Sequence, residues 1–120
     1  MNQNAVFEQQ LLDALADFAP TLAVEKGSYR INAMFDSKQV AIVWPYPLAE
    51  VFLDFSVPDG VIFSEWVEYY DGESDAEQIL DIARTVRNFL LHEIRVVKID
   101  RLLKRSELQF QQAGTWSSVF

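Results

Sequence analysis

The sequence predicts an α+β fold: an antiparallel sheet of five or more strands packed against two helices, in the order α-β-β-β-β-α-β-β. Three observations carry this expectation. Apolar residues recur at helical spacing in two stretches, 4–19 and 75–92. Between and after them lie short segments that alternate apolar and polar residues, the period of a half-buried strand. The segments are punctuated by "DSK", "PYP" and "PDG", which are turn or corner sequences. The chain has 120 residues, half of them hydrophobic and 13% aromatic, so it reads as a single α+β domain over 1–120 with a sizeable core.

In residues 4–19, Phe7, Leu11, Leu15 and Phe18 form one helical face, Asn4 is the candidate N-cap and Pro20 the stop. Residues 28–35 place Tyr29, Ile31, Ala33 and Phe35 on one side of a strand, and 39–44 do the same with Val40, Ile42 and Trp44. Residues 49–57 alternate most cleanly. Val51, Leu53, Phe55 and Val57 point one way, and Glu50, Phe52, Asp54 and Ser56 the other. "PDG" (58–60) turns the chain back, so 61–70 should return antiparallel. In that strand the alternation falters at Ser64-Glu65. A bulge there aligns Val61, Phe63 and Trp66; without one, Glu65 lines up with Val61, Phe63 and Val67.

Ser74 and Glu77 make a capping box, S-x-x-E, that opens the second helix. Its buried stripe is Ile79, Ile82, Ala83, Val86, Phe89 and Leu90, and Asp75 and Glu77 in its first turn suit the helix dipole. Residues 94–99, "IRVVKI", and 106–114, with Leu108 and Phe110 inward, read as strands. The last six residues add an edge strand, and "DRLLKRSEL" fits either a turn of helix or a loop.

Charge is spread unevenly. The net charge is −8, but residues 46–81 carry ten acids and no base, while 82–120 carry seven bases and three acids. An acidic middle third argues against nucleic acid as a partner, because phosphate binding needs clustered Lys and Arg. It favours a basic protein partner. An internal use of the same charge is for the basic C-terminal third to neutralise the acidic strands. With no cysteine there is no disulfide or thiolate chemistry, which fits a reducing, cytoplasmic setting. There is no signal-peptide pattern and no apolar run long enough to span a bilayer, so no membrane association is expected.

Candidate catalytic and metal motifs fall short of their patterns. "DGESDAEQILDI" (71–82) begins like a calcium loop with Asp71, Glu73 and Asp75, but Ala76 and Ile82 stand where the loop needs glycine and a bidentate glutamate. Pro58-Asp59 with Glu65-x-Val67 is similar to a metal-dependent nuclease signature, with valine in place of its lysine. The one histidine, His92, sits near the end of the second helix without a thiol or an activated serine to serve. No catalytic residue, metal or cofactor is therefore expected.

What remains is "SEWVEYYDGESDAEQ" (64–78), which interleaves carboxylates with large aromatics. Glu65, Trp66, Glu68, Tyr69, Tyr70, Asp71, Glu73 and Asp75 are the candidate partner-binding residues. Tyr and Trp supply rigid anchors, and carboxylates around them suit a basic surface. In size, acidity and element order the chain resembles two groups of protein-binding proteins. One is the bacterial immunity proteins that block a basic toxin. The other is the small acidic chaperones of secretion systems, dimers that hold an extended client. The resemblance is one of type and carries no residues over. A third expectation is an enzyme using the 65–75 carboxylates on a small neutral or cationic substrate.

Overall fold

The computed structural model describes the chain apart from residues 1–2, 47, 69–74, 101, 103 and 104, and apart from the side chains of 3, 4, 75 and 100. Helix α1 (Gln3–Ala14) runs into a 3-10 turn at Ala16–Phe18. Five strands follow: β1 (Thr21–Glu25), β2 (Ser28–Phe35), β3 (Lys38–Pro45), β4 (Glu50–Val57) and β5 (Gly60–Glu68). Helix α2 (Asp75–Leu91) leads to β6 (Glu93–Asp100), β7 (Arg105–Gln112) and β8 (Thr115–Ser118). The first five strands form a meander in sequence order, and the last three form a second sheet. Every pairing is antiparallel. The expected α+β layout is observed, with β1 as a strand the sequence reading passed over.

Tight hairpins explain the meander. At Lys26-Gly27 φ is +47° and +80°, and at Asp36-Ser37 it is +49° and +71°. Two consecutive left-handed residues make the turn whose twist matches that of the flanking strands. Glycine adopts this conformation freely, whereas Ser37 adopts it at a steric cost.

One face of the meander is the core. Ile31, Val40, Ile42, Trp44, Val51, Leu53 and Phe55 are all buried. Both helices lay their apolar stripes on this side: Phe7, Leu11 and Leu15 from α1, and Ile79, Ile82, Val86, Phe89 and Leu90 from α2. The buried Leu108 and Phe110 bring the second sheet into the same core. Trp44 is its hinge-pin. The Phe7 ring meets it edge-on at 4.9 Å, and Tyr29 stacks on it at 5.7 Å.

Each helix ends with carbonyls that need donors, and each receives one from another element. Lys38 on β3 reaches the end of α2, where its Nζ donates to the carbonyls of Phe89 (2.7 Å) and His92 (2.6 Å). Arg87 on α2 donates to the Ala14 carbonyl at the end of α1 (3.0 Å) and lies over the Phe18 ring.

Three expectations change in detail. The first helix begins at Gln3, so Asn4 lies inside its first turn instead of capping it. Its α-helical part stops at Ala14, and Phe18 reaches the core from the 3-10 turn. The register shift in β5 lies opposite Phe55/Ser56, which places the irregularity at Ile62 and not at Ser64-Glu65. The proposed Ser74 cap falls outside the described residues, although α2 does open at Asp75.

Candidate protein-binding face on strands β4 and β5

The register of β4 against β5 decides which side chains share a surface. Val51 pairs with Val67, Leu53 with Glu65 and Phe55 with Phe63. Val51, Leu53 and Phe55 are core, so Phe63, Glu65 and Val67 lie on the helix-facing side of β5. The other parity faces away from the helices. Glu50 pairs with Glu68, Phe52 with Trp66 and Asp54 with Ser64. On this open side Phe52 is 41% exposed and Trp66 51%. The apolar row continues to Val43, which pairs with Phe52, and then to Arg30 on β2.

The electrostatics of the β4–β5 end of this face are one-sided, with Arg30 two strands away from β4. Glu50 and Glu68 stand directly opposite one another, an arrangement that destabilises a sheet unless a cation intervenes. Asp54 is engaged internally, accepting a hydrogen bond from the Ser64 hydroxyl at 2.7 Å. Among the described residues three bases of the C-terminal third have other partners. Arg84 pairs with Asp81 on its own helix at 2.9 Å. Arg87 leans toward Asp17 at 3.8 Å. Arg95 lies over the Trp116 ring at 4.1 Å and donates to Gln109. Internal neutralisation of the β4–β5 acids is therefore not seen among the described residues. Two sheet tryptophans differ in consequence: the half-buried Trp116 already carries an arginine, while the exposed Trp66 is bordered by carboxylates.

The eight candidate residues divide. Trp66 and Glu68 share the open face. Glu65, named with them as a candidate, is on the opposite side of β5, because the strand alternates regularly from residue 63 to 68. Its carboxylate folds back to accept a hydrogen bond from the Trp66 N–H at 3.2 Å. Tyr69, Tyr70, Asp71 and Glu73 lie outside the described residues. Asp75 begins α2, and its side chain is outside them too. Glu50 and Phe52 were missed as site residues. The signal for them was present, since Phe52 interrupts the polar side of the cleanest alternation in the chain.

Behind β5, between its helix-facing side and α2, runs an open apolar groove of about 330 Å³. Val51, Leu53, Val67, Ile82 and Thr85 line it, and Phe120 closes one end by packing on Phe55 and Phe63. Glu68 and Asp81 stand at its rim with Arg84.

Elsewhere, His92 has a structural setting. Its Nδ1 lies 3.2 Å from the Asn88 carbonyl and its ring packs on Phe110. No group of three His, Cys, Asp or Glu among the described residues is placed to hold a metal ion. No described helix is long and apolar enough to cross a membrane. No protein-family model, curated protein or solved structure matches the chain.

Proposed function

We propose that this protein is a small acidic protein-binding module without catalysis, which docks on a basic protein and covers its working surface in the manner of a toxin-neutralising immunity protein. The observation that carries this reading is the open face of β4 and β5. There Phe52 and Trp66 form an exposed pair, one rung along from the facing Glu50 and Glu68. Solubility accounts for the acids. It does not account for two large aromatics left in water beside a repelling carboxylate pair. Aromatic anchors ringed by charge are the usual composition of a binding hot spot, and one-sided potential raises the rate of encounter with an oppositely charged partner.

The reading is tested by recovering partners from the source cell on immobilised protein at low and high salt. Wild type should retain a basic protein at one-to-one stoichiometry, released by salt. Trp66→Ala and the Glu50→Lys/Glu68→Lys double variant should both lose it while keeping native circular dichroism. Retention of the same partner by both variants would refute the assignment of this face.

A further inference from the structure

We infer that the partner's contact is an extended basic segment that adds as a sixth strand along the free edge of β5. This rests on the protein-binding reading above and specifies its mode. β5 is the last strand of its sheet, is nine residues long and has no proline to block pairing. An edge of that kind presents unpaired backbone donors and acceptors, and natural proteins blunt it with lysine, proline, a bulge or a cover. The bulge at Ile62 disturbs the first third only. From residue 63 onward the strand is regular, and its outward dressing is Glu65 and Glu68, with no base.

Both faces beside that edge are prepared for alternating side chains. A strand added to β5 would project every second residue onto the open face, next to Trp66 and Glu68. An arginine suits that position because its planar cation stacks on an indole while donating to carboxylates. The chain shows the same pairing at Arg95 and Trp116 on the other sheet. The intervening residues would project over Val67 into the apolar groove against α2, where small aliphatic side chains fit. Glu65 serves as the stand-in. Its carboxylate, now on the Trp66 N–H, would be displaced by the incoming strand's carbonyl and freed for a second base. Charge also selects the occupant. A second copy of β5 would bring two more carboxylates and no cation to the same edge, so a basic segment is favoured over self-pairing.

The experiment uses the full chain and an octapeptide of alternating arginine and valine with blocked ends, followed by amide NMR. Binding should slow hydrogen exchange at every second amide of β5, the set that points away from β4. The same peptide N-methylated at every residue, which has no N–H to offer on either edge, should bind at least about tenfold more weakly. Trp66→Ala should weaken binding by a similar factor, and raising ionic strength from about 0.1 M to about 1 M should abolish most of it. Three results would each overturn the inference: no binding; binding that leaves β5 amides unprotected and tolerates N-methylation; or a protein that dimerises through β5 when alone. The second of these would leave the protein-binding reading standing, since side-chain docking on Trp66 would still be sensitive to the Trp66 and Glu68 variants.

Discussion

Replacing Lys38 by methionine isolates a polar connection that spans the fold. The methionine keeps most of the aliphatic stem but deletes the ammonium that donates to the Phe89 and His92 carbonyls. Hydrogen bonds to a charged group contribute about 1.5–3 kcal/mol each, and a cation at a helix C-terminus adds about 0.3–1 kcal/mol. Against this stands the cost of partly drying the ammonium, the same burial that holds the Lys38 pKa below the ordinary lysine value, with Asp36 opposing the shift. Allowing the desolvation to cancel about half of the gross gain leaves a net loss of about 2 kcal/mol for Lys38→Met, or roughly 6–10 °C in Tm for a chain of this size. Urea titration followed by circular dichroism measures it.

The sign of the pH effect is a stricter check. Because the folded pKa is lowered, the unfolded chain binds more protons in the window between that value and the ordinary one, near pH 10. Wild-type stability relative to Lys38→Met should therefore rise as pH increases through that window and fall back below it. A variant within about 0.3 kcal/mol of wild type would refute the capping account, and a difference that shrinks as pH rises toward 10 would refute the burial that lowers the Lys38 pKa.

Other perturbations probe separate parts of the structure. Phe7→Ala removes a fully buried ring from the Trp44 contact and should cost about 3–5 kcal/mol, read from the same urea titration, with loss of the near-ultraviolet tryptophan signal. Ser37→Gly relieves a left-handed turn position and should stabilise by about 0.5 kcal/mol, visible as a higher urea midpoint at unchanged slope. Glu68→Gln relieves the pair facing Glu50 and should stabilise by about 0.5 kcal/mol at low salt, a gain that added salt erases. The same substitution should weaken binding of the basic partner, so stability and binding move in opposite directions at this residue.

How much of this was legible depended on how local the cause was. The α2 stripe from Ile79 to Leu90 was readable because a helix's buried face is written in its own period, and every residue assigned to it is buried. The β4 alternation was readable for the same reason. β1 was not, since Thr21–Glu25 is a short edge strand exposed on both sides and so has no apolar period. Its only signature was the Lys-Gly turn that follows. The caps on α1 and α2 were not legible either. Lys38 lies 51 and 54 positions from the carbonyls it serves, and nothing near those carbonyls in sequence names their donor.

The binding face turned on a single residue of register. "VIF" at 61–63 is apolar throughout, so no period marks which of the three is the extra residue in the bulge. A shift at Ile62 sends Trp66 to the open face and Glu65 to the groove side, whereas a shift at Ser64-Glu65 would exchange them. Only pairing with β4 decides, and it does so through burial. Val51, Leu53 and Phe55 must face the helices, and antiparallel pairing then fixes the partners on β5. The core thus sets the surface. The same constraint that buries Leu53 leaves Phe52 beside Trp66 in water, and holds Glu50 against Glu68 at the place where a cation would be most strongly drawn.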